Sequence, residues 1–524
     1  MIVGSSPESE DVRKGYAFSG SQGWELDKIF QQLGVAKGNC FLTLVLREQN
    51  YRPVALTKTA VTPEHVLLRD KWVVPAVVEG YHLLLREIEM VQPTMIIALG
   101  DLACWALTGN WNVSKWRGSM LYSESGVRVL PTYSLQDIFM QWKLRPILVQ
   151  DIRRAFHYRD IDWPIPQWNF ITRPSFGLAT HHIGYLIEMA KRGPTKLSVD
   201  IETRAYNLAC LGISHNNKDA ICIPFMELGK EDGYWSETEE AEITFLLYQL
   251  LTHPNVQIIG QNFIYDAQYI YRAWHFIPHF YRDTMLTHHT LFPGMQKSLD
   301  FICSFHNRHY VYWKDDGKQL SLDHDEDKHW RYNCEDCVRT FEADEELEKV
   351  TAAIGREGPN NFQQELFYPV LDMMTRGVRI DYEAQKRLQK ELKGLAEGTM
   401  EYIHDVVGWG LNPNSPKQMA AFFYEEMKQP KIVSRTTQSA TCDSAALMKI
   451  AVREPLLLPL VEKIEEYRSY KVYLSHFLED KRDKDGRLRC SYNIAGTKTF
   501  RFSSSEDPFG SGYNLQTVPS GDKG

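Results

Sequence analysis

The stretch KLSVDIETRAYN, residues 196–207, runs into NLACLGIS and then, across the polar turn HNNKD, into AICIPF. Apolar runs this short, bounded by polar turns, read as an antiparallel strand meander. The meander also aims two acids. Side chains two apart on a strand face the same way, so Asp200 and Glu202 can converge on one point. Carboxylates held that close repel. A proton, an arginine or a divalent cation relieves the repulsion, and hard oxygen donors suit Mg²⁺ or Mn²⁺. For an isolated D-x-E, a strand ending in ordinary solvated acids is the competing reading.

The chain has 524 residues, too many for one core when domains run roughly 100–200 residues, so about three are expected. Residues 1–158 alternate apolar runs (41–46, 95–99, 127–131) with helical stretches (24–33, 77–91), the pattern of an α/β layer structure. A Pro-rich link, DIDWPIPQWNFITRPS, marks a boundary before a second domain at 169–350. From 360 to 524 the pattern is mainly helical, with Ser415 as N-cap and Pro416 opening one helix, and a long apolar-periodic helix around 457–478. No run of 18 apolar residues is present to cross a membrane, and Ile2-Val3-Gly4 already reads as a strand end, so neither a leader nor a membrane partner is expected. Nine scattered cysteines with a single C-x-x-C, Cys334 and Cys337, predict reduced thiols rather than a structural zinc. The net charge of −8 gives no global pull towards phosphates. It divides unevenly, with 36 Lys and Arg against 45 Asp and Glu up to residue 359, and 23 against 22 beyond.

Two further stretches complete the acids. IIGQNFIYDAQYI reads as a strand entering a helix that carries Asp266, with Asn262 as its cap; HWRYNCEDCVRTF reads as a helix on which Tyr332 and Asp336 share a face. D-x-E, N-x-x-x-D and Y-x-x-x-D in this order resemble the tyrosine variety of the DEDD 3′-5′ exonucleases, over about 180 residues. The resemblance implies a ribonuclease H-like fold in which Asp200, Glu202, Asp266 and Asp336 hold two Mg²⁺ (or Mn²⁺) ions roughly 4 Å apart. These would activate water and stabilise the leaving 3′ oxygen of a phosphodiester, with Tyr332 orienting the water. A phenol with an ordinary pKa of about 10 stays protonated and serves as a hydrogen-bonding group more readily than as a base. Asp283 and Lys297 fall where that family has polar residues, and are equally well structural; His288 and His289 read as helix residues rather than a ligand pair.

The back segment resembles the start of the polymerase part of family A (polymerase I-like) DNA polymerases. NFQQELFYPVLDMMTRGVRIDYEAQKRLQKEL matches its first helix, with Gly377 at the turn, and LNPNSPKQMAAFFYEEM and EYRSYKVYLSHFL look like its thumb helices. GTKTFRFSSSEDPFGSGYNLQTVP resembles the T-x-T-G-R-L-S-S…P-N-L-Q-N-I-P signature, with Phe500 for glycine, Phe502 for leucine and Tyr513 for proline. On this likeness Arg501 and Gln516, with Asn262, become candidate DNA contacts, and a primer-template duplex and a single-stranded 3′ end become the expected partners. The family's palm and fingers motifs follow this signature and are not in these residues. Synthesis is therefore expected to need palm and fingers in cis, in a longer polymerase, or on a separate chain, in a split one.

The front segment, through GSSPE, MIIALGDLACWALTG and VLPTYSLQDIF, resembles the family 4-type uracil-DNA glycosylases. It departs from them at the catalysts: Ser5 for the water-activating acid, Glu8 for a glycine, Leu44 for asparagine, and Ser134-Leu135 for the H-P pair. Cys40 and Cys104 are too few for a four-thiolate cluster. Glu8, Glu10 and Asp11 could substitute for the acid, or simply begin a helix. The fold class expected is thus α/β multidomain: an inactive glycosylase-like sandwich, a ribonuclease H-like exonuclease, and a mainly helical thumb. The function expected is Mg²⁺-dependent proofreading within a family A DNA polymerase of a bacterial or phage-infected cytoplasm. A stand-alone exonuclease, or a non-catalytic DNA-binding half of a split polymerase, are the alternatives.

Overall fold

The computed structural model describes residues 1–48, 64–163, 165–231, 233–315, 325–434, 438–479 and 481–518. They divide into two compact units, Met1–Phe367 with Thr497–Phe500, and Tyr368–Gly496 with the residues from Arg501 onward.

The first unit contains two sheets. In the front sheet β1 (Ile2–Gly4) lies between β2 (Leu42–Leu44) and, after a small β3–β4 hairpin (Val66–Leu68 with Lys71–Val73), β5 (Met95–Leu99). Beyond β5 come β7 (Arg128–Thr132) and the antiparallel edge strand β6 (Leu121–Tyr122), in the order β2-β1-β5-β7-β6. The alternation along β5 explains the layers. Met95, Ile97 and Leu99 pack with Leu26, Ile29 and Phe30 of the Ser21–Leu33 helix and Ile152 of the Arg145–His157 helix. Ile96 and Ala98 pack on the opposite face with Val77, Tyr81 and Leu84 of the Pro75–Val91 helix. A parallel strand covered on both faces is apolar at every position, as MIIAL is.

The second sheet is built on the meander. β8 (Asn169–Ile171) is followed by β9 (Thr195–Arg204), β10 (Asn207–Ser214), β11 (Asp219–Pro224), β12 (Val256–Gly260) and β13 (Phe280–Asp283), in the order β13-β12-β9-β10-β11-β8. β9, β10 and β11 pair antiparallel, and β12 joins β9 in parallel. Ala205 and Tyr206 both take the left-handed conformation that a two-residue hairpin demands. The helix Glu326–Ile354 lies across β9, β10 and β11. It can come close because β10 carries Gly212 there: a Cβ on Gly212 would stand 2.4 Å from Asn333 Oδ1 and 2.7 Å from Cys337 Sγ.

The second unit is mainly helical. The Tyr382–Val407 and Leu458–His476 helices pack together, with Ser444–Arg453 against the latter, around Ile403, Phe423, Leu447, Ile450, Val461 and Ile464. Ser415 caps the helix Pro416–Ala420 by accepting the Gln418 N–H, and the chain then widens into a π-helical turn over Ala421–Glu426. The predicted long helix ends at His476, one residue before Phe477. Two short pairs, β14 (Val378–Arg379) with β15 (Arg487–Leu488) and β16 (Ser491–Asn493) with β17 (Ser503–Ser505), complete the unit. Gly377, at φ +64°, opens the first pair; a Cβ there would meet the Leu488 carbonyl at 2.6 Å. Among the described residues no helix is long and apolar enough to cross a membrane.

Candidate active site

Strand β9 delivers Asp200 and Glu202 to the same face, and the long helix delivers Asp336 opposite them. Carboxylate oxygens of these three residues all lie within 4.8 Å of one another, the one such group able to hold a metal among the described residues. Asp266 enters from the first turn of the Ile264–Trp274 helix and spends one oxygen on the Ile201 N–H, at 2.9 Å, which pins it to β9 between Asp200 and Glu202. Asn333, beside Tyr332 on the helix, donates its amide to Asp200 Oδ2 at 2.9 Å.

Burial and mutual repulsion act on these acids in the same direction. Burial first, then the nearby Asp336 charge, pushes Asp200 up to about 7. Glu202 and Asp266 are held well above the usual carboxylate range by burial and then by Asp200. Lys314 supplies a counter-charge. Its ammonium donates to Tyr332 Oη at 2.7 Å and to Asp336 Oδ2, while Trp313 Nε1 donates to Asp336 Oδ1 at 2.7 Å. Burial alone would lower the Lys314 ammonium, but Asp336 more than reverses that and keeps it charged. Tyr332 is raised by burial and by the Asp336 charge, so its hydroxyl keeps its proton at neutral pH. Three converging acids against the Lys314 ammonium leave the cluster short of positive charge, and partly buried hard oxygens are the donor set that a divalent cation of the Mg²⁺ type accepts.

The structure therefore brings together Asp200, Glu202 and Asp336, with Tyr332 linked to Asp336 through Lys314; Asp266 stands on the Ile201 N–H and does not join the carboxylates that lie within 4.8 Å of one another. Asn262 requires a correction. It does not cap the helix: Phe263 occupies the N-cap position, with no side-chain cap, and Asn262 is a left-handed residue at φ +57°. The pattern N-x-x-x-D looks like a cap, but the acceptor comes from β13, where Asp283 takes the N–H groups of Asn262 (3.1 Å) and Phe263 (2.7 Å). Lys314, Trp313 and Asn333 were missed by sequence reasoning; only Asn333, next to Tyr332 on a helix already assigned to the site, had a positional signal. Lys297 offers its carbonyl to Gln261 at 2.8 Å. His288 and His289 are fully buried in the Thr284–Leu291 helix, His288 sharing a hydrogen bond with His306 at 3.2 Å. Arg501 and Gln516 belong to the second unit, where Gln516 ties its amide to the Phe502 carbonyl at 3.2 Å. Phe500 keeps the left-handed backbone, φ +61°, that a glycine would favour.

The front sheet places Ser5, at the end of β1, and Ser134, after β7, on either side of Gly100, whose Cβ would meet Ser5 Oγ at 3.2 Å and Ser134 Cβ at 3.1 Å. The two positions do converge, but they bring hydroxyls. Ser134 caps the Leu135–Met140 helix, and the acids nearby are also engaged. Glu8 holds Ser21 Oγ (2.6 Å) and the Gln22 N–H, Asp11 holds Ser19, and Glu10 pairs with Arg13 and Lys14. Leu44 is core, and Cys40 and Cys104 join no metal-holding group among the described residues.

Comparison with known proteins gives three matches along the chain: the uracil-DNA glycosylase superfamily over residues 1–157, the 3′-5′ exonucleases over 181–352, and DNA polymerase family A over 382–523. Similar curated proteins include DNA polymerase I of Helicobacter pylori, 30% identical over 33% of this chain and 18% of its own length. DNA polymerase I of Borreliella burgdorferi is 24% identical over 64% of this chain and 36% of its length. The chain thus spans well under half of either relative. Among solved structures, the POL domain of Pol1 from M. smegmatis, in complex with DNA primer-template and dNTP, aligns at 19% identity over 65% of this chain and 55% of that one, with a TM-score of 0.47. In sequence order, the chain is therefore similar to the uracil-DNA glycosylase superfamily, then to the 3′-5′ exonucleases, then to family A DNA polymerases, each over about a third of its length or less.

Proposed function

We propose that the chain removes nucleotides from DNA 3′ ends and edits for a family A DNA polymerase. The observation that carries this is the convergence of Asp200, Glu202 and Asp336 within 4.8 Å, with Tyr332 one helical turn from Asp336. The acids would hold divalent cations, Mg²⁺ or Mn²⁺, which when bound supply Lewis-acid neutralisation of the phosphate and of the leaving oxygen. Asp266, fixed by the Ile201 N–H, is proposed to add its second oxygen to that cluster when a cation is bound. The protonated Tyr332 hydroxyl orients the attacking water by hydrogen bonding, and Asn333 fixes the Asp200 rotamer. Arg501 and Gln516 are proposed to contact the primer-template duplex.

The test uses 5′-labelled single-stranded DNA. With Mg²⁺ the full chain should give a ladder shortening from the 3′ end. Asp200→Ala combined with Asp336→Ala should lower the rate by about 10³-fold or more. An undiminished ladder from the double variant would remove the proposal.

A further inference from the structure

Between the Leu299–His306 helix and Lys314 the chain, residues 307–313, forms neither helix nor strand, yet it carries Trp313 and leads directly into Lys314. An irregular segment must find its hydrogen bonds elsewhere. This one finds them on the glycosylase-like segment. The Tyr312 N–H donates to Ser119 Oγ and the Met120 N–H to the Tyr310 carbonyl, each at 3.1 Å. Arg154 Nη2 donates to the Asn307 carbonyl at 2.6 Å. Lys115 pairs with Asp315, and the Trp116 and Tyr312 rings meet edge to face at 5.5 Å.

Behind this contact stands Arg117, 2% exposed. Asp151 neutralises it from its own side, with Nε donating at 2.8 Å, and Nη1 crosses to Ser304 Oγ at 2.6 Å. A buried guanidinium is tolerated only when its fork is filled, so the two surfaces must meet in one register. On the other side the segment is held by the long helix, through the Arg339 guanidinium 4.0 Å over the Trp313 ring and Asn307 donating to the Arg339 carbonyl at 3.1 Å.

We infer that the glycosylase-like segment is the mount of the exonuclease site: it fixes residues 307–315, and through them sets Trp313 and Lys314 against Asp336 and Tyr332. The inference rests on the exonuclease reading proposed above. Trp313 and Lys314 are then positioning residues for the reacting groups, and Ser119 and Lys115 position them in turn. The segment has kept a use that needs neither an acid at Ser5 nor an imidazole at Ser134.

The experiment compares the full chain with Lys115→Glu, with Ser119→Ala, and with the charge-swapped pair Lys115→Glu plus Asp315→Lys. Each single change should lower kcat on single-stranded DNA about tenfold with KM little changed. The swapped pair should recover most of the loss, which a general loss of folding would not. Hydrogen exchange of the 307–315 amides should speed up in the single variants and slow again in the pair. Unchanged exchange with wild-type kcat in both single variants overturns the mount. A wild-type chain that leaves DNA intact overturns the exonuclease reading instead, and the exchange measurement still decides whether the contact holds the segment.

Discussion

Asp283 is 2% exposed and accepts four backbone N–H groups, from Asn262, Phe263, Met285 and Leu286. Those bonds favour its charged form, yet burial outweighs them and pushes it up to about 6. An unfolded aspartate gives up its proton near pH 4. Between these values the folded chain holds a proton that the unfolded chain has lost. The stability this proton confers is full below about pH 4 and is lost as pH rises to 6. Asp283→Asn cannot titrate. Urea unfolding at several pH values should therefore show wild type losing about 2–3 kcal/mol relative to Asp283→Asn between pH 4 and pH 6. A difference that stays flat across that window counts against the buried, reluctant charge. Asp283 also shows why the Asn262 reading went astray: the sequence places the polar residue, but the acceptor that satisfies the turn comes from β13, 21 residues on.

At the scale of elements, the site depends on how closely the Glu326–Ile354 helix approaches β10. Gly212 sets that distance, since any Cβ there would overlap Asn333 and Cys337. Gly212→Val should lift the helix and move Asp336 and Tyr332 away from Asp200 and Glu202. A displacement of about 1 Å is enough for a loss of about 10²-fold in nuclease kcat. The check is kcat alongside the melting temperature; a variant that folds and cuts at the wild-type rate would show that the helix is placed by other contacts. What the sequence made legible follows the same logic. Period-two alternation in KLSVDIET, the Ser415-Pro416 cap and the four-residue spacing of Tyr332 and Asp336 are local signals, and each element appears where those signals put it. Lys314 and Trp313 had no such signal. Trp313 sits on an irregular segment that leads into Lys314, and the position of that segment is set by Ser119, Arg154 and Arg339, far away in sequence.

For the whole molecule, the carboxylate cluster lies entirely in the first unit. Differential scanning calorimetry in Mg²⁺ should therefore raise the transition of that unit, by about 2.7 kcal/mol at a hundred times Kd, and leave that of the second unit unchanged. Equal shifts in both transitions would place cation binding elsewhere. The physical division also differs from the divisions drawn by kinship. The first two matched segments meet around residues 158–180, but the first boundary between compact units falls at Phe367 and Tyr368. Two segments that resemble different families form one folded body. Exchanging either segment alone by recombination would leave Arg117 and Arg154 facing a stranger's surface.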